Sequence, residues 1–197
     1  MVLYILAAVS GTGKSTIARE LIARNDRLRL SVSHTTRARR SSEQDGVHYH
    51  FVKPAQFEQM VGQEGFAEWA EYVGNSYGTA KSTIQDAMEH DYDLLFDIEL
   101  QGARQLKKLY PEAVMVFLLP PSWAEVERRL RNRGTDDDDV ISRRLERGRQ
   151  EMEAAREFDF LVTNDVLETA INDAEAVYRA SQLRTANAWA QVSGLVT

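Results

Sequence analysis

A glycine-containing loop between an apolar run and a helix-like pattern constrains the fold of this chain more than any other feature. The apolar run at 2–7 predicts a buried strand, and residues 8–16 read Ala-Val-Ser-Gly-Thr-Gly-Lys-Ser-Thr. Ile17 and Leu21 then begin an apolar helix face. A strand, a glycine loop and a helix in this order predict a phosphate-binding loop, because loop amides and the helix N-terminus together attract anions.

Individual residues of this loop fit defined roles in phosphate binding. Lys14 is expected to reach the β- and γ-phosphates of a nucleoside triphosphate, and the Ser15 hydroxyl to bind Mg²⁺. Ala8 stands where the motif usually begins with glycine. The alternative is a glycine-rich turn beside a surface lysine. The residues of the loop expected to bind the triphosphate are Ser10, Gly11, Thr12, Gly13, Lys14, Ser15 and Thr16.

Composition narrows the class of protein. The chain has 197 residues, 43% of them hydrophobic, which suits one α/β domain with inserted segments. The formal net charge of −6 argues against a nucleic-acid partner or an anionic membrane surface. The sequence contains no cysteine, which excludes disulfides and is compatible with the cytoplasmic location that we expect. We find no signal-peptide pattern and no apolar run of membrane-spanning length.

Further apolar runs predict additional strands of one sheet. Continuous apolar runs are typical of parallel strands that are buried on both faces. Helical patterns lie between them, and Ser122 with Glu125 and Asp165 with Glu168 indicate two helix starts. Strands alternating with helices predict a doubly wound parallel sheet, which binds ligands at the carboxyl ends of its strands. The predicted strands are 2–7, 28–32, 94–98, 114–119 and 160–162.

Two segments interrupt this alternation. Residues 33–90 contain short mixed pieces such as 47–52, which alternates like a strand with one exposed face. Residues 123–156 are helical in pattern and rich in arginine. We interpret both as insertions that flank the phosphate loop.

A basic loop follows the short strand at 28–32. Residues 33–40 read Ser-His-Thr-Thr-Arg-Ala-Arg-Arg, and each guanidinium offers a planar fork to phosphate oxygens. Tyr49 and Tyr77 are candidates for additional hydroxyl donors. The alternative is a solvated basic loop.

Glu68 lies in the apolar context Phe-Ala-Glu-Trp at 66–69. A carboxylate in such surroundings is costly unless it meets hydrogen-bond donors. Guanine supplies two adjacent donors, N1–H and N2–H₂, whereas adenine presents an acceptor at N1. The alternative is an ordinary glutamate in a salt bridge.

Two acidic residues follow the run at 94–98. Asp97, at the end of a core strand beside a phosphate loop, is expected to order Mg²⁺ directly or through water. Glu99 points to the same side two residues later, and Gln101 with Gly102 suggests a tight turn. The alternative for Asp97 is the N-cap of the next helix.

Arginines dominate the basic residues of the second insertion. Residues 128–149 contain eight arginines and no lysine. A helical pair of this kind could close over a triphosphate and neutralise transferring charge. We expect only two or three of these arginines to touch ligand, with the others solvated or paired to Glu146 and the aspartates at 136–139.

Several motifs occur together in one order, and together they resemble bacterial guanylate kinases along nearly the full length of the chain. Such a combination is far more specific than the phosphate loop alone. The motifs are Ser-Gly-Thr-Gly-Lys-Ser at 10–15, Ser-Val-Ser-His-Thr-Thr-Arg at 31–37, Asp-Gly-Val-His-Tyr at 45–49, Glu-Trp-Ala-Glu at 68–71, Gly-Asn-Ser-Tyr-Gly-Thr at 74–79, Asp-Ile-Glu-Leu-Gln-Gly at 97–102 and Arg-Gly-Thr at 133–135.

The resemblance implies an enzyme that transfers the γ-phosphoryl group of ATP to GMP with Mg²⁺, giving ADP and GDP in purine nucleotide metabolism. It implies a P-loop NTPase-type core (1–32, 91–122 and 157–197), a GMP-binding region (33–90) and a helical lid (123–156). Lys14, Arg37, Arg133 and Arg144 are the expected catalytic residues, and Ser15 and Asp97 the metal site. The implied ligand contacts are Ser33, Glu68, Thr79 and Glu99 to guanine, Arg37, Arg40, Tyr49 and Tyr77 to the GMP phosphate, Arg129, Arg133 and Arg144 to the ATP phosphates, and Asn164 near adenine.

The chain departs from the family pattern at a few positions. Glu99 stands where aspartate is usual, Ser76 where tyrosine is frequent, and Val166 where a second aspartate is common. Two alternatives remain open: a kinase of the same fold for another phosphorylated substrate, such as a ribose bisphosphate, and a non-catalytic binding module like the guanylate-kinase-like domains of scaffold proteins. Association into a homo-oligomer is also open.

Overall fold

The structure is a computed structural model that describes residues 1–72, 74–132, 138–185 and 187–189. Strands and helices alternate in its first and last thirds, and shorter strands lie between them. Its elements are β1 (Leu3–Ala8), α1 (Lys14–Arg24), β2 (Leu28–Leu30), β3 (His34–Thr35), β4 (His50–Phe51), α2 (Pro54–Gly62), β5 (Phe66–Tyr72), β6 (Asn75–Ala80), α3 (Lys81–Glu89), β7 (Asp93–Asp97), α4 (Leu100–Leu109), β8 (Val114–Leu119), α5 (Trp123–Asn132), α6 (Asp138–Glu153), β9 (Phe160–Thr163) and α7 (Leu167–Gln182).

The main sheet of the described residues is parallel, with strand order β2-β7-β1-β8-β9. β1 lies at its centre, and its residues Tyr4, Ile5 and Leu6 are fully buried because helices cover both faces. Leu6 pairs with Asp97, which places the end of β7 beside the phosphate loop. The predicted α/β class and the predicted strands are confirmed to within one or two residues.

Helices on the two faces complete two apolar clusters. On one face, α1 and α7 contribute Ile17, Leu21 and Ile171 to the cluster around Tyr4. On the other face, Leu106 of α4 belongs to the cluster of the main sheet. Ile84 and Ala87 of α3 join that second cluster, so α3 packs with the main sheet although it follows the inserted strands.

A second sheet, with strand order β4-β3-β6-β5, lies within the first insertion. The strand expected at 47–52 is wrong in extent, since only His50–Phe51 pairs as a strand. Gly46 adopts a φ of 74° and its amide donates to the Tyr49 carbonyl over 2.8 Å, so the chain curls there and leaves Val47 exposed. A second glycine with positive φ, Gly74, lies between β5 and β6.

The two predicted helix starts have different outcomes. Ser122 caps α5, because its Oγ accepts a hydrogen bond from the Glu125 amide over 3.2 Å. The second predicted helix is present, but its start lies one residue later than predicted: Val166 rather than Asp165 is the N-cap of α7, and the helix begins at Leu167. Asn164 donates its backbone N–H to the Leu119 carbonyl over 2.8 Å, which keeps the chain extended up to this point.

Helices α5 and α6 of the second insertion pack on each other through Val126, Leu130 and Ile141. Gly148 of α6 touches the start of the phosphate loop so closely that a Cβ there would lie 2.5 Å from Val9 Cγ1. Helix α6 therefore packs directly against the residue that follows β1. Across the described residues, the helices are too short or too polar to span a bilayer.

Candidate nucleotide-binding site

The phosphate loop connects β1 to α1 through two glycines in left-handed conformations. Gly11 has a φ of 90° and Gly13 a φ of 97°, which strain any residue with a Cβ. Thr12 closes the turn, with its amide and its hydroxyl both donating to the Val9 carbonyl. Gly13 is the N-cap of α1 and contributes no side-chain cap. The first amides of α1 therefore remain available to an anion.

Lys14, Ser15 and Asp97 meet at this helix start. Lys14 Nζ lies 2.8 Å from Asp97 Oδ1 and donates to the Ile98 carbonyl over 2.9 Å. Ser15 Oγ donates to Asp97 Oδ2 over 3.1 Å. The expectation that Asp97 lies beside the loop is thus met by direct contact with two loop residues. The N-cap of α4 is Glu99 rather than Asp97.

Neighbouring carboxylates keep the Lys14 ammonium protonated. Burial on its own lowers the pKa of this ammonium, but the nearby Asp97 and Glu99 carboxylates outweigh burial and raise the pKa above its ordinary value. Glu99 Oε1 lies 3.9 Å from Lys14 Nζ. Lys14 therefore carries a full positive charge at neutral pH, as phosphate binding requires.

A cavity of about 220 Å³ opens between the loop and the second sheet. It brings together residues that are far apart in the sequence, and both carboxylates at the end of β7 face it. The predicted residues that line it are Lys14, Ser15, Ser33, Tyr49, Glu68, Tyr77, Asp97 and Glu99.

Glu68 is buried in the wall of this cavity, with 3% of its surface exposed. Its Oε1 has no hydrogen-bond partner within the described part of the chain, and the same holds for the Oγ1 of Thr79, its cross-strand neighbour. Burial raises the pKa of the Glu68 carboxyl. A buried carboxylate oxygen without a partner is costly unless a ligand supplies donors.

Gly102 allows Glu68 to occupy this position. It lies in the first turn of α4, so the tight turn expected at Gln101 and Gly102 is wrong. A Cβ on Gly102 would lie 2.3 Å from Glu68 Oε2, nearer than any real contact permits. Glycine serves close approach there and not an unusual φ, because Gly102 is helical and a Cβ would have to displace the Glu68 carboxylate.

Arg37 lies beside the cavity and Arg40 lies further out. Arg37 forms a two-point ion pair with Glu43, with Nη2–Oε1 2.6 Å and Nη1–Oε2 3.1 Å. Its guanidinium also lies 5.4 Å from the ring centroid of Tyr49. Arg40 is exposed and donates its backbone N–H to the same glutamate. Glu43 thus fixes the conformation of the loop that carries Arg37 and Arg40. No pattern in the sequence predicts this role for Glu43.

Asn164 and Arg129 support the phosphate loop from the opposite side. The buried Asn164 side chain donates to the Thr12 carbonyl over 2.6 Å, and Arg129 Nη1 donates to the same oxygen over 3.3 Å. A Cβ on Gly13 would lie 2.7 Å from Asn164 Nδ2. Asn164, expected near adenine, therefore also positions the loop backbone.

The arginines of the second insertion lie at different distances from the phosphate loop. Arg128 and Arg129 both bind Glu125 and hold its pKa at about 2. Arg144 lines a cavity of about 260 Å³ along the phosphate loop. Arg133 lies outside the described residues.

Tyr72 is a site residue that the sequence analysis did not select. It ends β5 and lines both the cavity at the phosphate loop and the cavity at Glu68, as Glu99 also does. The guanidinium of Arg147 lies 4.3 Å from its ring centroid. The motif at 68–71 stops one residue short of Tyr72, and a lone tyrosine at a strand end gives no sequence signal.

The parallel sheet, the loop and the lysine–serine–aspartate cluster define a nucleotide-binding α/β protein of the phosphate-loop class. The family model described as Guanylate kinase matches residues 1–181. The chain belongs to the guanylate kinase family, as its sequence motifs predicted.

Individual relatives agree with this assignment. A guanylate kinase of Aromatoleum aromaticum is 48% identical over 185 residues, covering 94% of this chain and 91% of the relative. One of Carboxydothermus hydrogenoformans is 46% identical over 182 residues, covering 92% and 89%. The crystal structure of guanylate kinase from Anaplasma phagocytophilum has a TM-score of 0.76 at 29% identity, covering 93% of this chain and 87% of that chain.

Proposed function

We propose that this chain is a nucleoside monophosphate kinase that transfers the γ-phosphoryl group of ATP to GMP, giving ADP and GDP. The buried Glu68 carboxylate supports the choice of acceptor. Its Oε1 lacks a hydrogen-bond partner in the described residues, and Glu68 lines a cavity that Lys14 also lines. The N1–H and N2–H₂ groups of guanine match a carboxylate, whereas the N1 acceptor of adenine repels it.

The acceptor nucleotide occupies the cavity between the loop and the second sheet in this proposal. Ser33, Thr79 and Glu99 join Glu68 around the base. Tyr49 and Tyr77, whose ring centroids are 5.9 Å apart, hold the phosphate together with Arg37 and Arg40. Residues 33–90 are then the GMP-binding region, with α3 returning the chain to the core.

ATP lies along the phosphate loop in this proposal. The amides of residues 10–16 and the ammonium of Lys14 bind its phosphates, and Arg129, Arg133 and Arg144 approach from the lid at 123–156. Asn164 holds the loop and lies near the adenine. The core comprises 1–32, 91–122 and 157–197.

Ser15 and Asp97 fit a magnesium site. Their hydroxyl and carboxylate oxygens are 3.1 Å apart, and oxygen ligands of this kind suit Mg²⁺, which usually keeps waters and adds substrate phosphates. Within the described residues no cluster of three or more His, Asp or Glu side chains could hold a metal, so phosphate oxygens would complete the coordination. When bound, Mg²⁺ supplies charge neutralisation at the β- and γ-phosphates.

Catalysis in this scheme comes from alignment and charge rather than from a covalent intermediate. A phosphate oxygen of GMP is already nucleophilic, so no strong general base is needed. Lys14, Arg37, Arg133 and Arg144 hold the two phosphates in line and stabilise the charge of the transferring group.

ADP release coupled to a spectrophotometric assay tests this function, with Mg²⁺, ATP and either GMP or AMP as acceptor. We expect turnover with GMP, and Lys14→Ala should reduce it by about 10²-fold or more while leaving the fold intact. Glu68→Gln should lower kcat/KM for GMP by roughly 10- to 10³-fold and narrow the preference for GMP over AMP. An unchanged GMP/AMP ratio would show that Glu68 is structural, and absence of GMP turnover would refute the proposal.

A further inference from the structure

Tyr72 and Glu99 occupy a junction in the molecule. Both line the cavity at the phosphate loop, the cavity at Glu68, and a third cavity of about 590 Å³ between α4 and α6. Tyr72 is the last residue of β5, the strand that carries Glu68. A side chain at this point therefore borders both the cavity at the phosphate loop and the cavity at Glu68.

The lid reaches this junction through Arg147 of α6. Its guanidinium stacks 4.3 Å from the ring centroid of Tyr72, and its Nε donates to Glu151 Oε1 over 2.8 Å. Glu151 is one turn further along α6 and has only 16% of its side chain exposed. The guanidinium is therefore held over the ring by a partner on its own helix.

We infer that the contact between Arg147 and Tyr72 is a latch through which acceptor binding and lid closure support each other. This inference rests on the proposed function. The two residues belong to different insertions: Tyr72 ends a strand of the second sheet, and Arg147 lies on a helix that packs on α5. The structure has this contact with both insertions beside the site. In this proposal the contact is lost when either insertion moves away, so its free energy favours the arrangement in which both nucleotides are enclosed.

Linkage gives this arrangement a measurable consequence. If the latch forms when both nucleotides are bound, each nucleotide must raise the affinity for the other by the same factor. The interaction of a cation with an aromatic face is strong enough to raise each affinity by a factor of about 2 to 30. Tyr72 and Arg147 are positioning residues in this account, since neither is assigned a contact with a reacting atom.

Titration calorimetry measures the factor directly as the ratio of GMP Kd values without and with a non-hydrolysable ATP analogue and Mg²⁺. We expect Arg147→Gln and Tyr72→Leu each to bring the ratio close to 1, and the double variant to lose no more than either single one. Tyr72→Phe should keep the ratio, because the ring face remains. The Kd of GMP alone should change little in Arg147→Gln, because Arg147 is not among the residues that line the cavity at Glu68. Tyr72 does line that cavity, so its variants are compared by the ratio and not by the Kd of GMP alone.

Arg143→Gln is the matched control. Arg143 lies one turn earlier on α6, is exposed, and donates its Nε to the Asp139 carbonyl within its own helix. This variant should retain the wild-type ratio.

Three results would overturn the latch: a wild-type ratio of 1, a wild-type ratio preserved in Arg147→Gln, or equal losses in Tyr72→Phe and Tyr72→Leu. Normal GMP turnover accompanied by any of them refutes the latch alone. Absence of GMP binding by the wild-type protein refutes the latch and the proposed function together.

Discussion

Gly102 lies against the carboxylate of Glu68, so that a methyl group in place of its hydrogen would come within 2.3 Å of Oε2. The two residues belong to α4 and β5, elements of the main and the second sheet layers. The position of the Glu68 carboxylate in its cavity thus depends on the absence of a Cβ at Gly102, on a helix that is remote in sequence but adjacent in space.

Gly102→Ala should displace Glu68 and lower kcat/KM for GMP by roughly 10- to 100-fold, because small misplacements of a binding group are costly. The affinity for ATP should change little. Steady-state kinetics with each substrate varied in turn measures both effects.

Gly62→Ala is the control for this substitution. Gly62 ends α2, and a Cβ there meets nothing within 4 Å. Alanine should leave the kinetics unchanged and, through its better helix propensity, should not reduce stability. Wild-type GMP kinetics in Gly102→Ala would show that Glu68 tolerates a different position.

The stability of the protein without nucleotide should depend on pH through Glu68. Burial raises its pKa in the folded state, so the folded protein holds a proton over a pH range in which the unfolded chain has released it. The contribution of Glu68 to stability is fully present at pH values below the ordinary carboxyl pKa. It is lost as the pH rises through the higher pKa that Glu68 has in the folded state. Each unit of pKa difference corresponds to about 1.4 kcal/mol of unfolding free energy.

Glu68→Gln should remove this dependence and be more stable than wild type at the upper end of the range, with the difference shrinking as the pH falls. Denaturant unfolding at a series of pH values provides the measurement. Glu71→Gln, an exposed change on the same strand, should keep the wild-type profile. A constant difference between Glu68→Gln and wild type at every pH would contradict the raised pKa.

Arg37→Gln should lower kcat/KM for GMP much more than it changes ATP affinity, because Arg37 lies beside Tyr49 at the acceptor cavity. Guanosine, which lacks the phosphate, should bind the variant about as it binds wild type. Arg39→Gln removes a nearby exposed guanidinium that binds the Glu43 carbonyl, and it should have a small effect. An equal fall in ATP binding would place Arg37 outside the acceptor site.

Hydrogen exchange should reveal closure of two separate segments. When a bisubstrate analogue binds, we expect added protection near residues 33–80 and 123–150, with little change in the core runs at 94–98 and 114–119. The physical reason is that each segment gains contacts with the bound nucleotides and orders around them, whereas the central strands are buried with and without ligand. Equal protection with and without the analogue would indicate a preformed site.

Local sequence determined the central framework of this protein. Continuous apolar runs marked the parallel strands, since such strands must be apolar on both faces. Glycines followed by Lys14 and Ser15 marked the phosphate loop, because positive φ and a helix start are local properties of the backbone. Ser122 likewise capped α5 as its own sequence predicted.

Local patterns failed where the environment of a residue came from elsewhere in the chain. Gly102 looked like a turn residue but serves a close approach within a helix. Asp165 looked like a helix cap, but the chain beside it is kept extended by the pairing of Asn164 with β8. In both cases a contact with a distant element outweighed the local preference.

Only the tertiary structure decided which side chains meet in the site. Asn164 and Thr12 are 152 positions apart and share a hydrogen bond, and Tyr72 meets Arg147 from a different insertion. Such contacts depend on how whole elements pack, and a single sequence encodes that packing in no local signal. The sequence by itself therefore determined the backbone of the phosphate loop, and the packing of elements far apart in the chain decided which side chains line the cavity at Glu68. The reason is that local preferences act on neighbours in the chain, whereas side-chain contacts act across space.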